Sequence, residues 1–178
     1  MSRKMLAVAA SALMAPIGMA QAQINFGVAA GASLPNGDLS TSFETGYHLM
    51  ATAGVHPPLA PVGFRVDGMY NQFNAKSPST TKFNVMGVTA NAVLSMPGAI
   101  VLSPYAIGGV GMYNSKSNIS GASSSNDLGV NIGAGIKFGL AGFGAFGEIR
   151  LHNLFPEKPT TGSAPSFRFI PITFGIMF

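Results

Sequence analysis

The chain has no cysteine and no tryptophan, and only 9% of its 178 residues are charged. Without cysteine there is no disulfide framework, no thiol chemistry and no lipid-modified cysteine behind an export signal. Long apolar runs are missing as well: beyond the N-terminus none reaches the roughly 18 residues of a membrane-spanning helix. A basic stripe is also lacking, although the sequence pI is near 9.6. Arg3 and Lys4 belong to the first residues, and the eight remaining Lys and Arg stand scattered against six acids. Scattered charge of that size does not make a nucleic-acid surface, so no nucleic-acid partner is expected. What is abundant is apolar surface, 47% of the residues. That is an odd balance for a soluble secreted domain.

The first residues explain a little of it. Arg3 and Lys4 give a positive start, Met5 to Ala15 an apolar stretch, and Pro16 and Gly18 break it before Ala20-Gln21-Ala22. This is the order of a cleaved signal peptide, with residues 1–22 removed and a single domain over 23–178. The stretch is too short to span a membrane as a helix.

The rest of the apolar content is arranged with period two. Ile170, Ile172, Phe174, Ile176 and Phe178 place an apolar side chain at every second position up to the last residue. In a strand these five share one face. A soluble protein avoids such an end, because it templates aggregation. Upstream, β-like segments fall at Ile24–Ser33, Phe43–Val55, Val62–Gln72, Lys82–Leu94, Ser103–Asn114, Leu128–Phe138, Phe143–Asn153 and Ser166–Phe178. Each has about the ~9–11 residues of a tilted transmembrane strand. The connections alternate: Leu34–Ser42, Phe73–Thr81, Ser115–Asp127 and Leu154–Pro165 are polar, whereas His56–Pro61, Ser95–Leu102 and Gly139–Gly142 are tighter. The expected fold is therefore all-β, an eight-stranded antiparallel up-and-down transmembrane β-barrel with both termini at the short-turn end. The aromatics Phe43, Tyr47, Tyr70, Phe138, Phe143 and Phe167 fall near strand ends, where interfacial girdles lie.

Alternation also assigns faces. Ile24, Phe26, Val28 and Ala30 face lipid while Asn25, Gly27, Ala29 and Gly31 face inward; Phe64, Val66 and Tyr70 oppose Arg65, Asp67, Met69 and Asn71; Ile149 and Leu151 oppose Glu148, Arg150 and His152. The fourth and fifth segments are too rich in Gly and Ala to assign. Inward parity collects a lumen charge cluster of Glu44, His48, Arg65, Asp67, Lys137, Glu148, Arg150 and His152. Two readings stay open: a structural salt-bridge network filling a lumen just wide enough for side chains, or a site or narrow polar path. Catalysis is not expected. Glu148 and His152 lie four residues apart on one strand, about 13 Å at ~3.4 Å per residue, too far for a hydrogen-bonded pair. Gly133-Ala134-Gly135-Ile136-Lys137-Phe138-Gly139 has the wrong spacing for a dinucleotide fingerprint. His48, His56 and His152 lack metal-ligand spacing, so neither metal nor cofactor is expected.

The whole mature chain resembles the OmpA/OmpX-like eight-stranded outer-membrane barrels, the outer-membrane β-barrel domain proteins. The resemblance is carried by Pro104-Tyr105-Ala106-Ile107-Gly108-Gly109-Val110-Gly111-Met112-Tyr113, by Gly147-Glu148-Ile149-Arg150 and by Arg168 to Phe178. It implies residence in the outer membrane, lipids and lipopolysaccharide as surroundings, and a monomer. It also implies an assembly signal in Ile170, Ile172, Phe174, Ile176 and Phe178 that the β-barrel assembly machinery reads. The periplasmic peptidoglycan-binding domain of longer OmpA relatives is not expected after Phe178. Three functions follow from such a resemblance: a structural or surface-interaction barrel acting through its polar loops, an OmpW-like barrel passing a small apolar molecule, and a lipid-modifying enzyme. From the parity of the seventh strand, Ile149→Arg is expected to block insertion and Arg150→Gln only to cost some thermal stability. A soluble lipocalin-like barrel, the remaining alternative, would not need apolar residues facing outward.

Overall fold

The computed structural model of the chain describes residues 23–57, 60–96, 102–119, 124–140, 143–156 and 167–178. The expected signal peptide, 1–22, lies outside these residues, as do most of the Ser95–Leu102 turn and of the Leu154–Pro165 connection.

Eight strands form: β1 (Gln23–Gly37), β2 (Gly46–His56), β3 (Val62–Asn74), β4 (Lys82–Ser95), β5 (Leu102–Ser117), β6 (Ser125–Leu140), β7 (Phe143–Phe155) and β8 (Phe167–Met177). Each is antiparallel to the next, and β8 returns to β1 to close the barrel. Closure matters because an open edge would leave backbone N–H and C=O groups unpaired in lipid. The seam runs from Gly27↔Met177 to Gly37↔Phe167. Beyond it, Phe26 and Phe178 exchange both backbone hydrogen bonds, at 3.1 and 2.7 Å. The last residue is thus tied into the wall. Pro171 interrupts the other side of β8: the β7 ladder pairs Ile149↔Ile172 and then resumes at His152↔Phe169. A proline has no N–H to give a ladder.

All eight expected strands are present, with shifted ends. β1 continues through Leu34, Pro35 and Asn36 to Gly37, because β8 offers partners that far; Gly37, at φ 61°, then turns the chain. A one-turn helix, α1 (Leu39–Ser42), follows where the sequence suggested only a polar connection. β5 and β6 extend to Ser117 and Ser125, so much of the Ser115–Asp127 segment is paired strand.

The two faces differ as alternation requires. Outward side chains include Phe26, Val110, Met112, Ile132 and Phe174, the last 69% exposed. Such a band is stable only against lipid. Inside, β4 and β5, whose faces the sequence left open, contribute Val85, Thr89, Asn91 and Val93, and Tyr105, Ile107 and Tyr113. Two expected girdle residues are corrected. Phe43 lies before β2 and Phe167 opens β8, and both turn in against the buried cluster at the barrel mouth. Tyr47, Tyr70 and Phe138 do face outward, and Phe143 has a side chain outside the described residues.

Candidate functional site

The lumen is filled in three layers. At the short-turn end Val93, Tyr105 and Ile107 pack together. The middle layer is ionic. Arg65 contacts Asp67 (Nε–Oδ1, 2.9 Å) and Glu148 (Nη2–Oε2, 2.7 Å); Arg150 contacts the same two acids through Nη2 (Asp67 Oδ2, 2.9 Å; Glu148 Oε1, 2.6 Å). Two guanidiniums and two carboxylates therefore close a neutral ring, each side chain at most 3% exposed. A buried charge survives only when paired and hydrogen-bonded, and neighbours add further hydrogen bonds. Tyr105 Oη donates to Glu148 Oε2 at 2.7 Å, Asn91 Nδ2 donates to Asp67 Oδ2 at 3.0 Å, and Asn131 Nδ2 donates to Asn91 Oδ1 at 2.9 Å. Arg65 also lies 5.8 Å over the Phe146 ring.

Toward the loop end the layer becomes aromatic. His152 Nδ1 and Tyr113 Oη are 2.8 Å apart, and the His152 ring stacks on Phe169 at 4.9 Å. His48 Nδ1 and Asn71 Oδ1, on β2 and β3, are 2.8 Å apart. At the mouth Leu39 of α1, 2% exposed, enters a cluster of Met69, Phe73, Val85, Tyr113, Leu154 and Phe169. The short helix is a stopper.

Inward glycines are seats for these large side chains. A Cβ on Gly87 or Gly129 would come within 2.8 Å of the Tyr113 ring, and one on Gly133 would strike Arg150. We expect Gly129→Val to fold with a loss of about 1–3 kcal/mol, the usual cost of overpacking, read from urea unfolding in detergent micelles.

Of the eight residues expected in the lumen charge cluster, Arg65, Asp67, Glu148 and Arg150 come together as the ring. His48 and His152 lie one layer up with uncharged partners. Lys137 faces in beneath the ring, its Nζ 5.2 Å over Tyr105 and in none of the ion pairs among the described residues. Glu44 is a correction: β2 starts only at Gly46, so this acid is exposed outside the wall, its amide on the Asn74 carbonyl at 2.9 Å. Sequence reasoning missed Asn91, Asn131, Tyr105 and Tyr113. Asn131 and Tyr113 stand two positions from inward glycines, a signal legible only once a face is fixed; Asn91 and Tyr105 face glycines only across strands, at Gly109 and Gly135, which one strand's pattern does not reveal.

A closed eight-stranded barrel, apolar outside and ionic within, defines a transmembrane β-barrel. Residues 5–178 match the outer membrane protein β-barrel domain family, and the chain belongs to it. Its place is accordingly the outer membrane. No curated relative matches the sequence. Among solved structures it is similar to the Neisserial surface protein A (14% identity, TM-score 0.67, covering 86% of this chain and 95% of that one). It is also similar to Ail, the attachment invasion locus protein of Yersinia pestis (14%, 0.58, 88% and 99%). A third likeness is to the outer membrane enzyme PagL (14%, 0.55, 86% and 98%). At such identity these likenesses concern the fold.

Proposed function

We propose that the chain is a closed, non-conducting barrel with a structural or surface-interaction role, its contacts made by the polar segments beyond the strands at the loop end. The observation that carries this is the filled lumen, from Tyr105 through the Arg65–Asp67–Arg150–Glu148 ring to Leu39 at the mouth. Passage of a solute through the centre would have to break four buried ion contacts and expel α1. The OmpW-like transport reading is disfavoured on that ground.

The enzymatic reading finds little chemistry to use. Both lumen histidines are at most 1% exposed and turned away from lipid. Ser33 Oγ, on the strand next to His48, has no hydrogen-bond partner among the described residues, so no serine–histidine pair activates it. A lipid-modifying role would show as altered lipid A on expression, and unaltered lipid A is the expected result.

The test is conductance in planar bilayers. The wild-type barrel is expected to add no resolved current steps at neutral pH. Regular single-channel steps, or uptake of an apolar solute into vesicles that depends on the protein, would overturn the closed-barrel reading. Replacing 118–124 with a flexible Gly-Ser linker is expected to leave folding intact, because β5 and β6 stay paired from Leu102↔Phe138 up to Ser115↔Ser125. Cell-surface contacts of the protein are expected to be lost in that variant.

A further inference from the structure

The outer wall is not uniform. Over β1 to β6 it is hollowed into a groove of about 840 Å³, lined by Ala51 and Gly68 together with Leu49, Tyr70, Met86 and Met112. Gly68 faces outward with nothing within 4 Å of where a Cβ would be, so the wall there is one backbone thick. Directly toward the loop end, four residues up β3, the outward side chains turn polar. Gln72 pairs in register with Asn84, and Asn84 with Lys116; Lys82 is one outward position higher, paired with Asn74. The hydroxyls of Tyr47 and Tyr70 both donate to Gln72 Oε1 at 3.3 Å, fixing an amphipathic pair of rings at the groove's upper edge.

Two exposed cations stand together on this side of the rim. Lys82 and Lys116 are exposed, and all four ion pairs among the described residues are in the lumen. Glu44 is the neighbouring acid, beside Asn74; Lys76, whose Nζ donates to the Ser40 carbonyl at 2.7 Å, keeps the patch positive. Elsewhere on the rim the described outward residues include Leu34, Leu128, Phe155 and Ile170, and one further cation, Arg168, which donates to Asn153.

We propose that this face is a binding site for one phosphorylated, multiply acylated lipid of the outer leaflet: its anionic headgroup on Lys82, Lys116, Gln72 and Asn84, and one acyl chain in the groove over Ala51 and Gly68. The loop end of a barrel whose termini lie at the opposite end faces the outer leaflet, which puts the cationic rim at headgroup depth and the groove at chain depth. An apolar chain in a concave wall gains contacts that a flat wall does not offer. Cationic side chains at an interface attract anionic lipid. The proposal rests on the barrel's orientation and not on what the loops bind, so a conductance result leaves it standing.

The experiment is native mass spectrometry of the protein extracted from outer membranes in mild detergent. It is followed by titration with bisphosphorylated and with dephosphorylated lipid A in phosphatidylcholine nanodiscs. Wild type is expected to retain a single phosphorylated lipid and to prefer the bisphosphorylated probe. Lys82→Gln/Lys116→Gln is expected to weaken that probe's binding by about 30-fold, two surface cations at an anionic lipid being lost. Gly68→Phe should fill the groove, and it leaves the lumen untouched because the new ring points into lipid. Its folding is checked by heat-dependent gel mobility, as is that of the lysine double variant. Equal binding of both probes by wild type, or equal lipid retention by folded wild type and both variants, would overturn the site. A protein dimer shielding Gly68 in place of lipid would also overturn it.

Discussion

Glu148→Gln is expected to cost about 3–5 kcal/mol of folding free energy, the usual penalty for leaving a buried charge without its partner. Glu148 receives Arg65 at 2.7 Å and Arg150 at 2.6 Å, along with the Tyr105 hydroxyl, and its side chain is 1% exposed. After the substitution two guanidiniums face Asp67 alone, and the ring carries an uncompensated positive charge with no water to screen it. The penalty is a cost of breaking the set and not a measure of what the set adds over an apolar core. A second change makes the argument sharper. In Glu148→Gln/Arg65→Met the surviving Arg150–Asp67 contact, 2.9 Å long, is neutral again. The double variant should therefore lose less than the two single losses added together. Urea unfolding of the refolded barrel in micelles measures all three. A loss below about 1 kcal/mol for Glu148→Gln, with simple additivity, would mean that the ring is hydrated and worth no more than a surface pair.

Which parts of this were readable from residues alone follows from how the faces are composed. In β1, β3 and β7 a large apolar residue alternates with a polar or tiny one, so Phe64 and Val66 against Arg65 and Asp67 fix the parity at sight. In β4 and β5 both faces are small: Gly87, Gly109 and Gly111 inside, and Ala90, Ala92, Ala106 and Gly108 outside. Their smallness has two causes that composition cannot separate. The inner glycines make room for Tyr113 and, at Gly109, for Asn91, whereas the outer alanines thin the wall against lipid. Parity also gives a face without giving a height. Arg65 and Glu148 meet across the lumen from strands 83 residues apart, and nothing in either strand's pattern names the other as partner. Glu44 was misplaced for a local reason, since a strand start read two or three residues early carries its first side chains into the lumen. Leu39 was missed because one apolar residue in a polar connection has no period to betray it.

Ile149→Arg and Arg150→Gln, neighbours on β7, are expected to fail in different ways. Ile149 is 50% exposed on the outer face and pairs with Ala134 on β6 and Ile172 on β8, at the middle of its strand. An arginine there meets hydrocarbon at mid-membrane, at a cost of about 2–4 kcal/mol. The side chain is too far from either interface to snorkel freely, so the variant should accumulate outside the membrane, without the heat-dependent mobility of a folded barrel. Arg150→Gln keeps the outer face intact and should insert. Its loss of stability is larger than strand parity alone suggested, because Arg150 contacts both acids of the ring and its removal strands Asp67 and Glu148 with one cation between them. Fractionation followed by an unheated gel separates the two failures. Folded Ile149→Arg in the outer membrane with a wild-type unfolding midpoint would show that the β7 outer face is not in lipid at that depth. Absence of folded Arg150→Gln would show instead that the ring must form before the barrel can close.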